Sequence, residues 1–178
     1  MNKELSYISY WDVGGLCDER DLHGTSLNLY ISNNYLGDKY VTCVCKFRIG
    51  KMDISKEFDS KELPILKEVI NKLEKFEFDK LTTDNSKLYI EDIGSDFIEY
   101  QYSDSDKRKI EYPNNSGLVK FINDLIYGCL VKDEKFNNTL KGIINSDSNF
   151  KYPVLNRIID SDFVFDINSE YEFDKFNS

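Results

Sequence analysis

The chain has 178 residues, 23 basic and 32 acidic, with a formal net charge of −9 at neutral pH and no alanine. Its apolar fraction of 40% is enough for a folded core, which excludes wholesale disorder, and its negative charge argues against direct binding to nucleic acid. The missing alanine, together with abundant Lys, Asn, Ile, Tyr and Phe, indicates an AT-rich bacterial or viral coding source. It also favours sheet over helix.

The sequence also bears on the compartment. The N-terminus lacks the apolar stretch of a secretory signal, and no apolar run approaches the roughly 20 residues that span a bilayer. We therefore expect a cytoplasmic protein of a bacterial cell, encoded by that cell or by a phage, that does not bind membranes. In that compartment the four cysteines stay reduced. The oligomeric state is not defined by the sequence.

The first third of the chain has the patterns of strands. Apolar and aromatic residues predict a first strand over Leu5–Trp11, and the polar residues of Asp12–Thr25 predict a loop. Trp11 is expected in the core, with an interface anchor as the alternative. Period-two alternation predicts a second strand over Leu27–Ile31 and a third over Tyr40–Ile49. Met52–Phe58 is then predicted to pair with the third strand in a hairpin.

Helical periodicity appears in the remainder, with further strands between the helices. Apolar residues spaced by three and four predict an amphipathic helix over 60–76, a second helix over Gly117–Leu130 and a shorter helix around Phe136–Ile144. One further helical turn or two is predicted after Pro153. Three strands are predicted between the first two helices, over 87–91, 97–102 and 108–112.

This order of elements predicts an α+β fold. We expect a largely antiparallel sheet with two main helices packed on one face and a smaller helical C-terminal portion. Residues 1–159 are expected to form a single domain, and residues 160–178 an acidic, aromatic C-terminal strand or tail.

The cysteines are candidates for a metal site. Cys43 and Cys45 flank Val44, so on a strand they share a face at a spacing of about 7 Å, too far for a disulfide. With Cys17 and His23 they would complete a three-cysteine, one-histidine zinc set, but the spacing lacks the tight knuckles of structural zinc sites. Cys129 has no obvious partner in the sequence. We therefore expect core packing, and we predict no metal and no cofactor.

His23, the only histidine, is the candidate for catalysis. A triad would combine it with Cys17 or a serine as nucleophile and with an acid such as Asp21. No nucleophile elbow or family signature surrounds these residues, so no catalytic residue is assigned. An enzyme that uses the Asp12–His23 loop remains an alternative.

The acidic tail is the strongest candidate for function, because aromatic side chains supply contact area and carboxylates attract Lys or Arg on a partner. The alternative is a final strand over Phe163–Ile167 that completes the sheet, followed by a frayed end. The predicted partner-binding residues are Asp162, Asp166, Glu170, Tyr171, Glu172, Phe173 and Asp174.

These observations predict a small acidic protein-binding inhibitor rather than an enzyme. Its expected partner is a basic protein, such as a nuclease or a toxin, because opposite charge accelerates encounter. Two biological settings have this profile: a toxin-immunity protein, and a phage-encoded inhibitor of a bacterial defence system. A structural subunit of a larger assembly is a further alternative.

Overall fold

The computed structural model describes residues 4–13, 23–49, 52–88, 94–131, 133–146 and 164–177. Six strands form one antiparallel sheet in the order β4-β3-β2-β1-β5-β6, which confirms the predicted α+β fold. The strands are β1 (Leu5–Val13), β2 (His23–Asn33), β3 (Lys39–Ile49), β4 (Met52–Asp59), β5 (Ser95–Tyr102) and β6 (Arg108–Glu111). The helices are α1 (Ile65–Leu73), α2 (Ser116–Leu130) and α3 (Glu134–Ser146), with a 3-10 turn at Phe78–Lys80.

The first four strands are neighbours in the sheet in the order in which they occur in the chain. The β3–β4 hairpin is the predicted one, with Ile49 opposite Met52 across Gly50 and Lys51. β1 lies inside the sheet because its second edge pairs with β5, from Val13 opposite Ser95 onward.

One face of the sheet is buried. The predicted inward face of β3 is confirmed for Val41, Cys43, Cys45 and Phe47, which are all inaccessible to solvent. α1 contacts β3, and α2 contacts both β2 and β3. Phe136 of α3 packs edge-on against Phe47, with ring centroids 5.4 Å apart. The helices and this face of the sheet therefore share one hydrophobic core.

The first helix is shorter than predicted. Asp59 accepts hydrogen bonds from the backbone N–H groups of Lys61 and Glu62 at 2.7 and 3.0 Å, and this turn delays the start of α1 to Ile65. Such side-chain bonds to nearby backbone compete with helix. At the other end the chain leaves α1 after Leu73, where Phe76 N–H donates to the Leu73 carbonyl in a tighter turn.

Other boundaries also differ from the prediction. Of the strand predicted over 87–91, residues 87 and 88 form a turn instead. Residues 89–91 lie outside the described residues. The predicted loop is shorter, because Asp12 and Val13 belong to β1 and β2 starts at His23. Trp11 is not in the core: it is 37% exposed on the outward face of the sheet.

The C-terminal prediction is partly corrected. Residues 164–167 do not form a strand, whereas Phe163 and the turns predicted after Pro153 lie outside the described residues. None of the helices in the described part of the chain has the length and apolar character that crossing a bilayer requires.

Candidate functional site

The C-terminal segment, residues 164–177, contains no helix or strand and has turns at residues 167–168 and 173–174. Its side chains nevertheless alternate: odd-numbered positions from 165 to 173 are buried or half-buried, and even-numbered positions from 164 to 174 are exposed. This period is typical of a strand on a sheet. Here the inward side chains contact helices α1 and α2 instead.

The inward aromatic rings of the C-terminal segment surround Phe121 of α2. Phe121 is fully buried, and its ring centroid lies 5.5 Å from that of Phe165, 4.9 Å from that of Tyr171 and 5.4 Å from that of Phe173. All three pairs meet close to edge-to-face, an arrangement that the ring quadrupoles favour. The aromatic residues of the segment therefore extend the core of the domain.

Lys72 of α1 binds the middle of the C-terminal segment. Its ammonium group donates hydrogen bonds to the backbone carbonyls of Ile167 and Ser169. It also lies 5.1 Å from the ring centroid of Tyr171, within the range of a cation–π interaction. One side chain thus satisfies backbone acceptors and supports an aromatic ring of the same segment.

Asn115 binds the end of the segment. Its Oδ1 caps α2 by accepting a hydrogen bond from Leu118 N–H at 2.7 Å. Its Nδ2 donates to the carbonyls of Phe173 and Lys175 at 2.9 and 3.0 Å. Because Asn115 is fully buried, these bonds form away from water, where a lost partner is expensive.

This packing leaves the carboxylates of the C-terminal segment on its outer side. Glu170 and Asp174 make no hydrogen bond or ion pair with any residue that the structure describes, whereas Glu172 pairs with Lys175. Tyr171 donates a hydrogen bond to Asp124 at 3.1 Å, and burial, followed by the charge of Asp124, raises the pKa of the Tyr171 hydroxyl. The exposed carboxylates are those of Asp166, Glu170, Glu172 and Asp174.

The predicted partner-binding residues therefore divide into two sets. The rings of Tyr171 and Phe173 are half-buried against α2, while the four carboxylates face outward. Asp162 lies outside the described residues. Partner binding by these residues stays a prediction.

Gly128 of α2 lies at a close approach of the C-terminal segment. A Cβ atom at Gly128 would lie 2.4 Å from Cβ of Phe165, whereas one at Gly142 of α3 would meet no atom within 4 Å. We expect Gly128→Ala to lower the free energy of unfolding by about 1–3 kcal/mol through overpacking. Gly142→Ala should raise it by about 0.5–1 kcal/mol, because alanine favours helix. Urea denaturation measures both, and equal stabilisation by both substitutions would contradict the close approach.

The Asp12–His23 loop is largely outside the described residues. Cys17 and Asp21 are among the residues that are not described, and of His23 the structure gives the backbone, opposite Ile49 at the start of β2. Asp12 is half-buried in β1. The described residues therefore do not test a catalytic set around His23, and the enzyme alternative stays a prediction.

A cavity of about 270 Å³ lies on the outward face of the sheet, beside Trp11. The Trp11 ring stacks on Phe97 with centroids 6.1 Å apart. Across the cavity, Lys46 and Arg48 make no ion pair with a described residue, and the buried Ser26 hydroxyl has no hydrogen-bond partner there. This surface combines an aromatic ring with two cations and with the carboxylates of Asp12 and Asp53, and it is separate from the acidic C-terminal segment.

The cysteines of β3 are closer together than predicted. Cys43 and Cys45 lie on the inward face, but their Sγ atoms are 3.6 Å apart, well below the spacing of about 7 Å that the strand rise predicts. The side chains lean toward each other, and Cys129 of α2 brings a third thiol to the same place. Cys17 and His23 take no described part in this cluster.

Comparison of the chain with protein-family models, with curated proteins and with solved structures finds no match. The fold and the site define a small α+β protein whose acidic C-terminal segment is attached to α1 and α2. Any function assigned to it rests on that geometry.

Two residues that hold this site together, Asn115 and Lys72, were not among the predicted site residues. Asn115 was recognisable as a helix cap from its place before α2, but its bonds to the C-terminal segment had no sequence signal. Lys72 resembles the other lysines of an amphipathic helix, and only the tertiary contacts distinguish it.

Proposed function

We propose that the protein is a small acidic inhibitor that binds a basic macromolecular partner through the outer side of its C-terminal segment. The observation that carries this proposal is the attachment of the segment to α1 and α2, with Asp166, Glu170, Glu172 and Asp174 turned outward. A segment that is already ordered loses less conformational entropy on binding than a free tail does.

The charge of the chain supports the same proposal. A net charge of −9 attracts a basic protein over a distance of about a Debye length and favours rapid encounter. The partner is a nuclease or a toxin, and the protein acts as a toxin-immunity protein or as a phage-encoded inhibitor of a bacterial defence system. In this proposal Tyr171 and Phe173 position the carboxylates and contribute little direct contact.

A charge-matched pair of variants tests the proposal. Glu170→Lys/Asp174→Lys alters the segment, and Asp104→Lys/Asp106→Lys alters the exposed turn between β5 and β6. Each acid-to-lysine substitution raises the formal charge by 2. The two substitutions in each variant therefore change the net charge from −9 to −5. With a partner captured from lysate, we expect the first variant to lower the association rate constant at least about tenfold, and the second to change it by less than about threefold.

The measurement is surface plasmon resonance at several salt concentrations. Association with the unaltered protein should slow as ionic strength rises, because salt screens the attraction. Equal slowing by the two variants would mean that net charge matters and the segment does not. Unchanged association in both variants would reject an acidic interface.

A further inference from the structure

Three cysteines from two different elements meet in the core. Cys43 and Cys45 come from β3 and Cys129 from α2, and all three side chains are buried. Their sulfur atoms lie within 4.8 Å of one another, and those of Cys43 and Cys45 are 3.6 Å apart. The thiols thus face one another rather than spreading over the apolar surface around them.

The separations suit a shared metal ion. With metal–sulfur bonds of about 2.3 Å, three sulfur ligands lie about 4.0 Å apart in a planar site and about 3.8 Å apart in a tetrahedral one. The Cys43–Cys45 separation of 3.6 Å is slightly below these values and no pair of sulfurs is farther apart than 4.8 Å, so small rotations of the side chains bring all three sulfurs to bonding distance. The backbone of β3 and α2 can stay in place.

Simple packing is the competing explanation. Buried cysteine behaves as a small hydrophobic residue, and a chain without alanine has fewer small apolar side chains for tight positions. A hydrogen bond with the Cys129 thiol, followed by burial, raises the pKa values of Cys43 and Cys45, so without a cation these groups stay protonated. Packing explains why each residue is small, but it does not require three sulfurs to converge.

We propose that Cys43, Cys45 and Cys129 form a three-sulfur site for a soft, thiol-binding metal ion of the Cu(I) class. Sulfur ligands select soft ions over magnesium or calcium, which prefer oxygen. Structural zinc usually takes four ligands, and among the described residues no histidine or carboxylate joins the three thiols. Each thiol that becomes a thiolate ligand releases its proton to solvent, and the charge of the cation offsets part of the cost of burying the thiolate.

This site is independent of partner binding. Because the three thiols are buried, the ion enters while the chain folds or during opening of the core. A loaded site would connect β3 to α2 and would stabilise the folded state by mass action.

The test uses the full chain, refolded under anaerobic reducing conditions with Cu(I) and a competing Cu(I) chelator. Metal and protein are measured after desalting. We expect close to one copper per chain in the unaltered protein and in Cys17→Ser, the control for the fourth cysteine. Cys129→Val should hold at least about tenfold less copper, because it removes one ligand and keeps an apolar side chain. Circular dichroism establishes that this variant is folded.

A second measurement makes the outcome independent of the folding of the variant. X-ray absorption of the copper-loaded, unaltered protein should show three sulfur neighbours and no nitrogen or oxygen neighbours. Absence of copper from the unaltered protein would overturn the proposal. So would retention of copper by a folded Cys129→Val, or coordination by nitrogen or oxygen.

Discussion

Replacing Phe121 by alanine is expected to lower the free energy of unfolding by about 3–5 kcal/mol, the cost of deleting a large buried ring. Phe121 is fully buried, and it contacts three rings of the C-terminal segment as well as the core. Its removal therefore leaves a cavity between α2 and residues 164–177. Urea denaturation followed by circular dichroism measures the loss.

Phe97→Ala is the matched control for this substitution. Its ring is only half-buried and stacks on Trp11 on the outward face of the sheet, away from the C-terminal segment. Its loss should cost about 1 kcal/mol, in proportion to the apolar area that it buries. The Phe121 variant should also become more susceptible to proteolysis within residues 164–177. A loss for Phe121→Ala no larger than that for Phe97→Ala would show that the segment does not depend on this ring.

Replacing Asn115 by alanine is expected to cost about 2–4 kcal/mol. The substitution removes the cap of α2, worth about 1 kcal/mol, and leaves the carbonyls of Phe173 and Lys175 without their donor. Each unpaired buried polar group adds about 1–3 kcal/mol, reduced where water reaches the carbonyl. Chemical denaturation gives the total.

Asn115→Ser separates the two functions of the side chain. Serine caps a helix about as well as asparagine does, but it is too short to reach the C-terminal segment. Its loss of stability should therefore be smaller than that of the alanine variant by about 1 kcal/mol, while both variants release the segment to proteolysis. Full retention of stability in Asn115→Ser would show that the bonds to the segment contribute nothing.

The elements with a regular period were predictable from the sequence. β3 alternates strictly from Val41 to Phe47, and α2 carries an apolar stripe behind a recognisable cap, so local pattern and burial agree. α1 was overextended because its flanking residues continue the helical spacing, although the Asp59 side chain holds the backbone in a turn instead.

The C-terminal segment shows where local pattern is insufficient. Alternation between Phe165 and Phe173 indicates one solvent-exposed side and one buried side, but it does not predict which element covers the buried side. A sheet partner was the simplest expectation, and the helices provide the cover instead. The contacts that determine the cover come from Phe121, Lys72 and Asn115, which lie 44 to 101 positions away from residues 165–173 in the chain.

The candidate sites also depend on tertiary contacts that the local sequence pattern does not reveal. The spacing of Cys43 and Cys45 placed two thiols on one face, while Cys129 joins them only through the packing of α2 on β3. Trp11 was expected in the core, yet its strand parity places it with Ser9 on the outward face.

The strand order also determines which pairing is costly to form. The β2–β3 connection is five residues long (34–38), whereas 81 residues (14–94) separate β1 from β5. Loop closure over a length about 16 times greater costs about 2.5 kcal/mol more in chain entropy. The hairpins of β1 to β4 therefore close by local search, and the junction of β1 with β5 is the long-range step on the route to the native sheet. Until β1 pairs with β5, its free edge can pair with a strand of another chain. We therefore expect aggregation during folding to begin at β1.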